Sequence, residues 1–150
     1  MKDIVQVERR AYIIDTSVAL KWFYQGKETE LEQAFKLRED YRQGKIGLYA
    51  PDLLVYELAN VLRYKQGLEE CYIEDAVESI YDMKILRSPV QETMKEAIRL
   101  AVRYDSSVYD AIYLAFAQEH RSWFITADRQ FHFKVKQLPM AIFIADYHAA

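Results

Sequence analysis

The sequence predicts an α/β protein with a parallel sheet and helices packed on both faces. Three observations carry that expectation. Short apolar, β-prone runs alternate along the chain with helical patterns of roughly 8–16 residues. Two of those runs, Tyr12-Ile13-Ile14 and Trp123-Phe124-Ile125-Thr126, have the character of buried parallel strands rather than the in-out alternation of half-exposed ones. Each of the two also delivers an acid just past its end, Asp15 and Asp128.

Taken in order, residues 1–10 are a charged lead-in without the apolar centre of a signal peptide. Residues 11–15 read as the first strand and 17–24 as a short helix that Gly26 stops. From Glu28 to Gln43 the residues Leu31, Ala34, Phe35, Leu37, Arg38 and Tyr41 recur at helical spacing, and Gly44 supplies the end signal. Ile46–Ala50 reads as a strand. Pro51-Asp52 then opens a helix that runs to about Gln66 and stops at Gly67. A further helical pattern spans Tyr72–Asp82, and Ile85-Leu86-Arg87 forms a short strand closed by Ser88-Pro89. Residues 91–104 are helical, with Met94, Ala97, Ile98, Ala101 and Val102 assigned to one face. After Ser106-Ser107 a very apolar helix covers Val108 to about Gln118. Trp123–Thr126 is a strand, Asp128–Phe133 a helical turn and Ala141–Ile144 the last strand. No internal repeat, low-complexity stretch or second domain intervenes, so residues 1–150 read as one domain.

A chain of 150 residues buries roughly 68–70% of its unfolded surface, enough for a self-sufficient core. The single cysteine, Cys71, excludes an internal disulfide and fits a reducing compartment. No apolar run approaches the ~18 residues of a membrane span, and the expected location is the cytoplasm. The formal net charge is −3, which excludes nucleic-acid binding by bulk attraction. Any nucleic-acid role therefore needs local basic groups, or metal ions to offset the acid.

Four acids stand out by their surroundings. Asp15 follows Ile13-Ile14 and precedes Thr16-Ser17, a place at the carboxyl end of a strand where ligands bind in open α/β sheets. The plain alternative is that Asp15 or Thr16 caps the next helix. Glu57 has Leu53, Leu54, Asn60 and Val61 as its helical neighbours and so points inward. A buried charge needs a partner or a metal, and Arg63 is the plain alternative partner. Asp110 stands in a Ser107-x-x-Asp110 spacing that suits a capping box and the helix dipole. Asp128 repeats the plan of Asp15, with capping again the alternative. Read together, two acids lie at strand ends and two begin or line helices beside that edge. If all four converge they repel, by about 4 kcal/mol for a pair 4 Å apart at an effective dielectric near 20. All-oxygen carboxylate sites suit hard cations such as Mg²⁺ and Mn²⁺, which serve in-line displacement at phosphorus.

Ile13-Ile14-Asp15-Thr16-Ser17, the inward Glu57 after Pro51, Tyr109-Asp110-Ala111-Ile112-Tyr113-Leu114-Ala115 and Ile125-Thr126-Ala127-Asp128 resemble, in order and spacing, the four motifs of PIN-domain ribonucleases. The likeness is nearest to the small VapC-type toxins and covers essentially the whole chain. It implies a three-layer α/β/α PIN-like fold around about five parallel strands. It implies a Mg²⁺- or Mn²⁺-dependent endoribonuclease that hydrolyses RNA phosphodiester bonds, in the toxin half of a toxin–antitoxin pair. It carries Asp15, Glu57, Asp110 and Asp128 onto a catalytic, metal-ligating site, and Thr16, Ser17 and Thr126 onto hydroxyls that orient ligands or water. Its implied partners are RNA, a second copy of the chain and a small antitoxin that inserts a basic side chain.

Rival readings are a non-catalytic PIN-like scaffold that binds RNA or protein, a housekeeping RNA-processing nuclease, and a phosphatase of the haloacid-dehalogenase type. The last expects an Asp where Ser17 stands. Tyr56, Tyr64, Tyr109 and Tyr113 fall near the expected site, where bases stack on aromatics, but packing is their default role. Lys21, Arg63, Arg129, Lys134 and Lys136 default to solvated surface, so no substrate-binding residue is named. His120, His132 and His148 lack zinc-ligand spacing.

Overall fold

A computed structural model describes residues 9–148, so most of the expected lead-in lies outside the described residues. The elements are β1 Ala11–Ile14, α1 Thr16–Phe23, α2 Leu31–Arg42, β2 Gly47–Pro51, α3 Leu53–Arg63, α4 Glu70–Asp82, β3 Leu86–Arg87, α5 Gln91–Tyr104, α6 Val108–Glu119, β4 Trp123–Thr126, α7 Arg129–Val135 and β5 Ala141–Phe143, with a 3-10 turn over Ile144–Asp146. All five strands are parallel, in the order β3-β2-β1-β4-β5. The fold is a three-layer α/β/α sandwich.

Parallel crossovers are right-handed as a rule, which puts helices on two faces when the chain builds outward from β1 through β2 to β3 and then returns to β4. Side-chain alternation bears this out. Tyr12 meets Tyr147 edge-on at 5.6 Å, and the Tyr147 hydroxyl donates to Asp40 of α2 at 2.5 Å. Ile13 points the opposite way. Its register partner Phe124 packs on Phe131 of α7 at 5.9 Å. So α2 and α7 lie on opposite faces, and the topology reverses between β1 and β4.

The core explains why α6 lacks an amphipathic pattern. Ala111 to Ala117 are all buried, because this helix runs across the centre of the sheet with α5 packed on its outer side. The small residues Ala97 and Ala101 face inward on α5, with Thr93 and Leu100. Met94, Ile98 and Val102, expected on that same face, are exposed at 41%, 50% and 80%. The apolar residues of α5 span too wide an arc for one interface, and the alanines allow the closer approach.

Boundaries shift where backbone chemistry outweighs pattern. Pro51 closes β2 instead of opening α3. Its neighbours Ala50 and Asp52 supply the N–H groups that bond Ile85 and Arg87, at 3.0 and 2.9 Å, so the missing N–H of proline costs no ladder bond. Helix α3 ends at Arg63, short of Gln66, because the Tyr64 and Lys65 N–H groups turn to carbonyls three residues back. Gly67 follows at φ +80°, the left-handed conformation that favours glycine. Helix α4 begins at Glu70, two residues before the expected start, and α7 extends to Val135.

Lys21 departs furthest from its expected surface role. It is 3% exposed, and its ammonium donates to Glu28 at 2.9 Å and to the Thr29 carbonyl at 2.6 Å. Arg129 pairs with Glu30 and lies over the Phe143 ring at 4.6 Å, and Lys134 donates to the Asp105 carbonyl. Arg63 and Lys136 stay exposed, each against an adjacent ring, Tyr64 and Phe133.

Candidate active site

Asp15 follows β1 and Thr126 closes β4, two neighbouring strands at the reversal of the topology. From there α1 leaves toward one face and α7 toward the other. The crevice outside the carboxyl ends of such strands is where open α/β sheets bind ligands.

Asp15 occupies the N-cap position of α1, yet its side chain makes no capping bond. Its Oδ1 instead accepts from the Ser17 hydroxyl, and its Oδ2 from the Thr126 hydroxyl at 2.5 Å. Both hydroxyls are held in turn. The Ala127 N–H donates to Ser17 Oγ at 2.8 Å, and the Asp128 N–H donates to Thr126 Oγ1 at 3.0 Å. The loop after β4 therefore fixes the carboxylate that follows β1. Asp15 is 7% exposed. Burial pushes its carboxyl up to about 7, the charges of Asp110 and Asp128 add to that, and the two hydroxyls pull the other way.

Glu57 reaches the same edge from α3. Its Oε1 accepts from the Thr16 hydroxyl at 3.0 Å and from the Tyr113 hydroxyl. The expected alternative, a pair with Arg63, does not occur among the described residues. Tyr113 is 1% exposed, so its ring belongs to the core while its hydroxyl belongs to the site. Burial, and then the Glu57 charge, hold that hydroxyl protonated by raising its pKa. Packing was the default assignment for Tyr113. The available signal was spacing, since Tyr113 stands three residues after Asp110 and so shares its side of α6.

Asp110 lies in the first turn of α6. Its backbone N–H donates to Ser107 Oγ at 3.0 Å, the N-cap half of the expected capping box. Its half-buried carboxyl is pushed up by burial, then by the charges of Asp128 and Glu57, while Ser107 and Lys134 oppose. Asp128 caps α7, with Oδ1 accepting the Phe131 N–H at 3.0 Å. Ser107→Ala is expected to cost about 1 kcal/mol of stability, the usual value of an N-cap. Chemical denaturation measures the cost.

The four acids share one electrostatic field, but not one point. Among the described residues, no three His, Cys, Asp or Glu side chains are grouped closely enough to hold an ion as they stand. The donor chemistry nonetheless fits a hard divalent cation. All donors are oxygen. Each Asp15 oxygen has a second acceptor site beyond its one hydroxyl bond. Burial, and after it the charges of neighbouring acids, raises Asp15 and Asp110, and a bound cation would offset both.

Comparison with known proteins extends this picture. The PIN domain family model matches residues 12–135. Ribonuclease VapC3 of Pyrobaculum aerophilum is 34% identical over 88 residues, 55% of this chain and 67% of that protein. A toxin–antitoxin complex from Klebsiella pneumoniae superposes with a TM-score of 0.64 at 16% identity, over 93% of this chain and 99% of that one. The sarcin-ricin-loop-cleaving toxin VapC20 of Mycobacterium tuberculosis superposes with a TM-score of 0.61 at 16% identity, over 81% and 93%. At such identities the structural likeness speaks for the fold.

Proposed function

The chain belongs to the PIN domain family, and on that premise we propose that it is a Mg²⁺- or Mn²⁺-dependent endoribonuclease, the toxin of a toxin–antitoxin pair. The observation that carries the reading is Asp15. It is a buried carboxylate pushed up to about 7 at the sheet's switch point, and it feels two more acids from other segments. A scaffold has no need of that crowding, which opposes folding unless a cation offsets it. The ribonuclease relative supports the substrate class, and the toxin–antitoxin neighbours support the pairing. A small antitoxin that presents a basic side chain to the acids, a homodimeric assembly and a cytoplasmic location complete the proposal. No described helix is long and apolar enough to cross a membrane.

In this reading Asp15 and Asp110 would hold the principal metal, with Glu57 and Asp128 completing its surroundings. A bound divalent cation would supply water activation and charge neutralisation at the phosphate. The chain's residues do the positioning. Ser17 and Thr126 fix both oxygens of Asp15, Thr16 and Tyr113 fix Glu57, and the α7 cap fixes Asp128.

The test is cleavage of a structured RNA after exhaustive chelation, with Mn²⁺ then restored. Activity is expected to vanish and return, and full activity in excess chelator sinks the reading. Mn²⁺ at about a hundred times its dissociation constant is also expected to stabilise the folded protein by about 2.7 kcal/mol, readable as a rise in melting temperature. A scaffold gives no such rise.

A further inference from the structure

We propose that Tyr113 is a positioning residue that, with Thr16, restricts Glu57 to a single ligating oxygen. This rests on the metal-dependent reading above. Both hydroxyls donate to the same atom, Glu57 Oε1, and their own oxygens lie 3.0 Å apart. A carboxylate oxygen has about two acceptor sites, so Oε1 is fully used. No hydrogen bond among the described residues reaches Oε2, which leaves that oxygen as the one Glu57 has to offer. The clamp is anchored on both sides. The Tyr113 ring is locked in the core, and Thr16 is the first residue of α1, next to Asp15.

The arrangement also ties two acids to one helix. Asp110 stands in the first turn of α6 and Tyr113 one turn further on, so the segment that presents Asp110 also sets the orientation of Glu57 on α3. A tyrosine needed only for packing requires one acceptor for its hydroxyl, and any backbone carbonyl serves. Here the acceptor is a carboxylate from another helix, already held by a second hydroxyl. The consequence is a Glu57 that ligates through Oε2 alone and does not chelate with both oxygens.

The experiment measures Mn²⁺ binding by electron paramagnetic resonance in the wild type, Tyr113→Phe, Thr16→Val, Glu57→Gln and the Tyr113→Phe/Glu57→Gln double variant. Tyr113→Phe keeps the ring and removes the hydroxyl. It is expected to weaken Mn²⁺ binding about tenfold, the low end of the range for a residue that orients a metal ligand. Thr16→Val shifts it in the same direction and covers the case where Tyr113→Phe does not fold. Cleavage by Tyr113→Phe is expected to recover at higher Mn²⁺ with an unchanged KM for RNA, which a packing defect does not produce. In the Glu57→Gln background, adding Tyr113→Phe is expected to have little further effect. Wild-type affinity in both Tyr113→Phe and Thr16→Val overturns the clamp and leaves the nuclease reading standing. A wild type that binds no Mn²⁺ overturns both.

Discussion

Replacing Asp15 by Asn is expected to abolish RNA cleavage and, in chelator at neutral pH, to make the protein more stable. The two effects share one cause. Asp15 is buried between β1 and β4, and burial, with Asp110 and Asp128 adding, pushes its carboxyl from 3.8 up to about 7. A folded-state pKa above the unfolded value means that folding favours the protonated acid. The contribution of Asp15 is then fully present below about pH 3.8, declines as the pH rises, and is lost above about 7. That rise corresponds to about 4 kcal/mol, an upper bound on what the variant recovers. Asn never ionises and so retains the low-pH stability throughout. Its amide also suits the site. The carbonyl oxygen takes one hydroxyl, and the amide N–H donates to the other, which is free to turn toward its neighbour 3.3 Å away. Denaturation of both proteins from pH 4 to 8 in chelator is the measurement. The stability difference should widen up to about pH 7 and then level off. A difference that does not change with pH removes the argument from burial. A variant that still cleaves RNA removes Asp15 from the chemistry.

How much of this was legible beforehand depends on which forces act locally. The runs before Asp15 and Asp128 are readable because strands buried on both faces carry no charged interruption. Their pairing as neighbours followed from topology, since β4 returns beside β1. Pro51 is ambiguous in the sequence because proline both starts helices and ends strands, and only the partner strand β3 decides between the two. The exposed Met94, Ile98 and Val102 were misread because periodicity gives an apolar arc without saying which part of it another helix covers. Lys21 looked like surface because its partners Glu28 and Glu30 are brought to it by a loop. The acids themselves were legible as residue types in odd company. Their hydroxyl partners were only partly so. Thr16, Ser17 and Thr126 sit beside acids in sequence, whereas the bond from Tyr113 to Glu57 spans 56 residues and depends on how α3 and α6 meet the same edge.

Asp110 gives the sharpest test of a structural against the proposed chemical role, because the two fall on different atoms of one residue. Its backbone N–H is bound by Ser107, and that bond survives any change of side chain. Its carboxyl is held above the usual range by burial and by Asp128, so it adds nothing to folding as an anion. Asp110→Asn is therefore expected to leave α6 capped and the fold intact, with a melting temperature in chelator at or above that of the wild type. Cleavage should fall at least about hundredfold, since even the residues that orient metal ligands cost ten- to hundredfold when removed. Ser107→Ala is the mirror image, losing about 1 kcal/mol of stability while keeping cleavage within a few-fold. Melting curves and RNA cleavage rates on the two variants form a crossed pair. If Asp110→Asn instead destabilises the protein and cleaves normally, the side chain belongs to the helix cap and the metal reading loses one of its two principal ligands. If the crossed pattern holds, Ser107 is the cap and the Asp110 carboxylate serves the crevice that β1 and β4 open.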